Sequence, residues 1–104
     1  MRGRRMTENE GTLTFVQIAR IPLEGVEAYQ AYEDQVLPLL AEHGGRLQRR
    51  LRNESGTSEG HIIIYPSDAV AQLYRSDPRR VAATHLLEAS LAKVELLSLR
   101  DVPS

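Results

Sequence analysis

Four stretches of the chain carry the short apolar or alternating patterns that predict β-strands. The third of them is a short apolar run, which is typical of a strand that is buried on both faces. Pro22 and Pro66 end two of the strands, because proline has no amide hydrogen to pair with a neighbouring strand. The predicted strands are Thr12–Ile21, Arg46–Asn53, His61–Tyr65 and Lys93–Val102.

Two longer segments repeat apolar residues every three or four positions, which is the spacing of one helix face. The first predicted helix is Val26–His43, and Gly44–Gly45 ends it with a left-handed cap. The second segment follows Ser67 and restarts at Asp77–Pro78, where aspartate caps the helix and proline takes its first position. The inward stripe of the first helix is Tyr29, Tyr32, Val36, Leu40 and His43.

The resulting order, β-α-β-β-α-β, predicts an α+β fold of the ferredoxin-like type with a four-stranded antiparallel sheet. Both faces of the strands are apolar: Val16 opposes Phe15, and Leu97 opposes Leu96. Because the helices can cover only one face, we expect a second copy of the chain to cover the other, giving a homodimer. We expect a single domain over residues 12–104, after a disordered tail over residues 1–11 that offers Met6 as an alternative start to Met1.

Composition narrows the classes of function. The 104 residues include 13 basic and 14 acidic side chains, for a formal net charge of -1, and no cysteine. Balanced charge gives no general attraction to nucleic acid or to an anionic membrane, and the absence of cysteine excludes thiolate chemistry. No apolar run is long enough to span a bilayer, and no secretory signal is evident, so we expect a cytoplasmic protein.

Two segments resemble a small family of unknown function within the dimeric α+β barrel superfamily. The first, Tyr32–Arg50, carries a proline inside the helix and Gly-Gly-Arg after it. The second, Ile62–Arg80, carries a Pro-Ser junction between strand and helix and then Tyr-x-Ser. Tyr65 and Leu73 depart from the residues that are usual in that family. The resemblance implies two ferredoxin-like subunits that press their sheets together into a barrel, with a pocket between the sheet and the helices of each subunit.

Tyr29, Tyr32 and His43 share the inward stripe of the first helix. Three such side chains predict a pocket with hydrogen-bonding tips, in which the tyrosines orient a ligand and His43 acts as general acid or base. The alternative is structural: the tyrosines fill the core, and His43 interacts with the negative end of its helix.

Strand alternation predicts that Arg49 shares the apolar face of Leu47 and Leu51. A guanidinium on that face needs an anionic partner, because an unpaired buried charge is costly. The partner is either the carboxylate of a ligand, held by two hydrogen bonds, or a glutamate or aspartate of the protein.

His85 follows the restart at Asp77–Pro78. Some haem-degrading proteins of the superfamily carry a histidine on the corresponding helix, so the resemblance implies haem binding as one possible role for His85. Its helical position is far from the stripe of Leu87 and Leu91, which predicts a surface residue instead. The three histidines are isolated and no metal-ligand spacing recurs, so we expect neither a metal site nor a cofactor.

These observations predict a homodimeric α+β barrel protein that binds a small organic acid or aromatic metabolite, with conversion of that ligand without a cofactor as a further step. Two alternatives stay open. One is a non-catalytic dimeric module, and the other is a haem-binding, monooxygenase-like protein that uses His85.

Overall fold

The computed structural model describes residues 11–103, so the predicted tail lies outside the described residues apart from Gly11. A short 3-10 turn, Leu23–Gly25, leads into the first helix. None of the described helices is long and apolar enough to cross a membrane. The helices and strands are β1 (Leu13–Arg20), α1 (Val26–Glu42), β2 (Arg46–Arg52), β3 (Ser58–Tyr65), α2 (Asp68–Arg75), α3 (Pro78–Ala82), α4 (Thr84–Ser90) and β4 (Lys93–Leu99).

The four strands form one antiparallel sheet in the order β2-β3-β1-β4. The order of elements and the sheet confirm the predicted ferredoxin-like α+β fold. We call the face that packs against the helices the inner face; it carries Ala19, Ile63 and Tyr65, which are buried. Helix α1 packs Tyr29 against Ala19 and Leu40 against Ile63 and Tyr65, so the core lies between this helix and the sheet.

The outer face of the sheet is apolar and carries no helix among the described elements. On β1 it presents Val16 and Ile18, which alternate with the inward residues. Leu97 pairs with Val16 and remains 36% exposed, and Leu99 remains 47% exposed. The prediction of apolar positions on the outer face is therefore confirmed, whereas the inner face combines apolar residues with buried charged or polar ones, among them Glu59 and His61.

Strand β2 departs from the predicted alternation. Leu47 is paired with Ile63 and Arg49 with the next residue, Ile62, so the register shifts between Leu47 and Arg49. The extra residue is a β-bulge, and residues beyond a bulge exchange faces. The prediction that Arg49 shares the face of Leu47 and Leu51 is therefore wrong for Leu47 and correct for Leu51: Arg49 and Leu51 lie on the outer face, and Arg50 and Arg52 lie on the inner one.

Two further boundaries differ from prediction. β3 begins at Ser58, because Ser58 and Glu59 pair with Arg20 and Ala19 of β1, where the sequence indicated a loop. The helical segment after Asp77 is divided into α3 and α4 at Ala83, which is fully buried. The cap predictions hold: the side chain of Asp77 accepts from the amide of Arg79, 2.8 Å away, and Gly44 has a left-handed φ of 91°.

Candidate functional site

A cavity of about 50 Å³ lies between α1 and the inner face of the sheet. Gln17 and His61 are register partners at one end of it. Arg75 and Arg80 lie toward the other end, against the rings of Phe15 and Tyr74. The remaining wall is aromatic or aliphatic and includes Tyr29, Tyr32, Val36, Ile63, Tyr65 and Leu96.

The structure brings only two of the predicted site residues to this cavity. Tyr29 and Tyr32 line it, and their ring centroids are 6.3 Å apart. His43 lies just beyond the end of α1, where its Nε2 is 2.8 Å from Oδ2 of Asp77. Arg49 is exposed on the outer face, and His85 is exposed with its Nδ1 2.9 Å from the Ala82 carbonyl oxygen. The functional roles predicted for these five residues stay predictions.

At the Gln17 end, a network of charged side chains joins α1 to β2 and β3. Glu33 and Glu59 are its acids, and their side chains are 2% and 0% exposed. Arg50 donates from Nε to Oε1 of Glu59 at 2.9 Å and from Nη2 to Oε1 of Glu33 at 3.0 Å. Arg52 donates from Nε to Oε2 of Glu59 at 2.9 Å. His61 lies at the centre, with Nε2 2.8 Å from Oε1 of Glu59 and 3.0 Å from Oε2 of Glu33.

This network drives the pKa values of its two acids apart. Burial and the neighbouring Glu59 carboxyl raise the pKa of Glu33, against the lowering effect of His61 and Arg50. For Glu59, burial also favours the neutral form, but hydrogen bonds from Glu33, His61 and the two arginines lower its pKa to about 2. Burial lowers the pKa of His61, but its close contacts with the two glutamates outweigh burial and raise it. Two acids with opposite shifts are typical of groups that divide acid and base roles.

Glu33, Glu59 and His61 also place three possible metal-ligand atoms within 4.8 Å of one another. Both oxygens of Glu59 and one of Glu33 already accept from Arg50 and Arg52. The two guanidinium groups supply the positive charge that a divalent cation would bring. The arrangement therefore suits a proton better than a metal ion.

The other end of the cavity is cationic. Arg75 lies 5.3 Å from the centre of the Phe15 ring, and Arg80 lies 4.8 Å from that of Tyr74. Neither arginine forms an ion pair within residues 11–103, although Nε of Arg80 is buried and has no acceptor. Burial lowers the pKa of Arg80, but the neighbouring Tyr32 and Tyr74 raise it by more, so the guanidinium stays charged.

The sequence analysis missed Glu33, Glu59, His61 and the two cavity arginines. It also missed the role of Arg50. The regular spacing of helices and strands could have placed two of these residues, Glu33 and His61, at the cavity. Glu33 lies four residues after Tyr29 and so shares its helix face, and His61 lies two residues before Ile63 and so shares its strand face. Arg50 could not be found in this way, because its direction depends on the bulge.

No protein-family model matches the chain, and no curated protein matches it. Several solved structures share its fold. One, called an antibiotic biosynthesis monooxygenase, has a TM-score of 0.73 and 11% identity, over 88% of this chain and 99% of the other. Rv0793 from Mycobacterium tuberculosis has a TM-score of 0.66 and 18% identity, over 89% and 99%. SnoaB from Streptomyces nogalater, a cofactor-independent oxygenase, has a TM-score of 0.63 and 16% identity, over 88% and 96%. At these identities the likeness shows the fold.

Proposed function

We propose that this chain binds a small organic acid in the cavity beneath α1 and converts it without a cofactor. The observation that carries the proposal is the cationic end of the cavity. Arg80 holds a buried Nε–H without an acceptor, beside a second arginine, Arg75, that has no carboxylate partner among the described residues. A buried, charged donor left without an acceptor is costly, so a ligand carboxylate on this guanidinium would be strongly stabilised.

The size of the cavity bears on the ligand. An apolar cavity of about 150 Å³ holds a benzene ring, and a single water needs roughly 10–15 Å³. With about 50 Å³, the enclosed space suits a group of a few non-hydrogen atoms. A short oxo or hydroxy acid fits better than a polycyclic aromatic compound. An aromatic ligand would need its ring outside the enclosed part, toward Leu96, which is half exposed.

Conversion is supported by the other end of the cavity. A buried acid with a raised pKa, Glu33, and a histidine, His61, line the same cavity as Arg80. Proton transfer needs no cofactor. SnoaB, which has the same fold, is described as cofactor-independent, and that description is consistent with the proposal.

The proposal includes a homodimer formed through the outer face of the sheet. Val16 and Ile62 are register partners at its centre, with Leu97 beside them, and no described helix covers them. A contiguous apolar surface of this kind favours burial against another protein surface, and a second copy offers the same apolar surface by symmetry.

A non-catalytic dimeric module is the second candidate. It is favoured by the small volume of the cavity and by the extent to which Arg50 and Arg52 are already satisfied by Glu33 and Glu59. Haem binding through His85 has no supporting contact among the described residues, since the ring is exposed and outside the cavity.

The test is ligand binding to the purified protein, measured by calorimetry with pyruvate, lactate, acetoacetate and benzoate. We expect one of the short acids to bind. Arg80→Gln should lower the affinity for that acid at least tenfold, because a hydrogen bond to a charged group contributes about 1.5–3 kcal/mol. Arg100→Gln, at an exposed position after β4, is the matched control and should bind like the wild type. Absence of binding by all four acids, or equal loss in both variants, would contradict the proposal.

A further inference from the structure

Glu33 lines the cavity and combines deep burial with one carboxyl oxygen, Oε2, that has no hydrogen-bond partner among the described residues. Its Oε1 accepts a hydrogen bond from Arg50, but its Oε2 accepts none. Nε2 of His61 is only 3.0 Å from that oxygen, yet the imidazole directs its hydrogen at Glu59, 2.8 Å away. Both Glu33 and His61 line the cavity. An ionised oxygen buried without a donor is costly, and a proton on this carboxyl removes that cost by making the group neutral.

The surrounding charges decide which of the two acids keeps a proton. Two carboxylates that share one site cannot both ionise easily, because like charges repel in a poorly solvated space. Glu59 receives two guanidinium hydrogen bonds, from Arg50 and Arg52, while Glu33 receives one. The negative charge therefore belongs on Glu59. The titratable and charged groups that face Glu33 are Glu59 and His61 from β3, Arg50 and Arg52 from β2, and Tyr29 and Tyr32 from α1 itself.

We propose that Glu33 carries a carboxyl proton in the folded protein at neutral pH and that, with His61 beside it, it exchanges this proton with the ligand held by Arg80. The second half rests on the function proposed above; the first half does not depend on it. The raised pKa of Glu33 agrees with this assignment.

The step that this arrangement suits is the interconversion of a 2-oxo acid and its enolate. When Glu33 is ionised, its carboxylate takes a proton from the carbon next to the ligand carbonyl. The C–H bond breaks, its electron pair forms the C=C bond, and the carbonyl π pair moves onto oxygen. In the reverse step the O–H bond of Glu33 breaks and its pair stays on the carboxylate, while the C=C pair forms the new C–H bond and the oxygen pair restores the carbonyl. No oxidant or reductant takes part.

The resting proton is tested first, without ligand. The carboxyl carbon of Glu33 and the ring nitrogens of His61 are followed by NMR from pH 3 to 9 in the labelled protein, with Glu33→Gln to assign the carboxyl signal. We expect Glu33 to stay protonated well above the ordinary value of 4.5 and its titration to perturb the His61 ring. Titration of Glu33 near 4.5, with no response at His61, would overturn the proposal.

The exchange is tested with pyruvate as the probe. In deuterated buffer we expect the protein to accelerate loss of the pyruvate methyl proton signal by on the order of 100-fold over buffer, a typical gain for a positioned acid or base. The rate should rise with pH as Glu33 ionises. Glu33→Gln should return the rate to that of buffer while pyruvate still binds, and Glu33→Asp should retain part of it. Glu27→Gln, on the exposed face of the same helix, is the matched control.

The outcomes separate the two claims. If pyruvate binds but its methyl protons do not exchange, or exchange equally in Glu33→Gln, the proton-transfer role is wrong and the binding function stands. If neither pyruvate nor the other short acids bind, the proposed function fails, and the titration alone decides whether Glu33 holds its proton.

Discussion

Nη2 of Arg50 donates a hydrogen bond of 3.0 Å to Oε1 of Glu33, and this contact ties β2 to α1 across the end of the cavity. The same guanidinium donates from Nε to Glu59, so a single arginine holds both buried acids in place. Arg50 faces inward only because the bulge before Arg49 reverses the alternation of the strand. One irregular residue in an edge strand thus determines which cation reaches the buried acids.

Stability should depend on pH through Glu33. Burial raises its pKa above the 4.5 of the unfolded chain, so its stabilising contribution is complete below pH 4.5 and is lost as pH rises through the folded value. We expect the free energy of unfolding of the wild type, minus that of Glu33→Gln, to fall as pH rises above 4.5. Urea unfolding of both proteins at several pH values measures this difference in the free energy of unfolding. A difference that does not change with pH would contradict the assignment.

Glu59 should have the opposite dependence. Its pKa is lowered to about 2, so the stability it contributes is present above pH 4.5 and is lost as pH falls toward 2. Glu59→Gln leaves the Arg52 guanidinium without its hydrogen-bonded carboxylate and leaves the Arg50 guanidinium only its hydrogen bond to Glu33. Because those groups are about one-third exposed and screened by water, we expect a loss of about 2–3 kcal/mol at pH 7.

The control for that measurement is Glu54→Gln in the exposed loop after β2, which should change stability by less than about 0.5 kcal/mol. Equal effects of the two variants in urea unfolding would mean that the buried network is not stabilising. The variant of Glu59 should also show a shallower loss of stability below pH 4.5 than the wild type.

Leu91 is a residue whose replacement should stabilise the protein. It ends α4 with φ of 60°, a left-handed conformation that costs a residue with a Cβ roughly 1–2 kcal/mol, and its side chain is 63% exposed. We expect Leu91→Gly to raise the free energy of unfolding by about 0.5 kcal/mol, after the greater chain entropy of glycine is counted. Leu73→Gly, at an exposed position inside α2, is the control and should lower it by about 1 kcal/mol. Thermal unfolding of both variants shows whether each is more or less stable than the wild type, and a loss of stability in Leu91→Gly would contradict the prediction.

The homodimer should depend on Val16. This side chain lies on the outer face between Ile62 and Leu97, in the middle of the apolar surface. A glutamate there would place a charge in the proposed interface, so we expect Val16→Glu to elute as a monomer and the wild type as a dimer in chromatography with light scattering. Leu73→Glu, on the exposed side of a helix, should leave the dimer intact. A wild-type monomer at micromolar concentration would contradict the proposed assembly.

The order of elements and the apolar positions on the outer face of the sheet could be predicted from the sequence alone. Proline at the ends of strands, the aspartate cap before Pro78 and the positive φ of Gly44 are local features, and local steric rules fix them. The inward direction of Tyr29 and Tyr32 followed in the same way from helical spacing, and both residues do line the cavity.

Which charged side chains meet could not be predicted, because their meeting depends on how distant elements pack together. Glu33, Glu59 and Arg50 come from three different elements, and no spacing along the chain indicates that their side chains converge. The choice of Arg50 over Arg49 depends on the pairing register with β3, where a shift of one residue moves a side chain to the opposite face. The spacing of apolar residues predicts which way the side chains of a regular helix or strand point. A bulge depends on the packing of neighbouring elements, so spacing does not predict it.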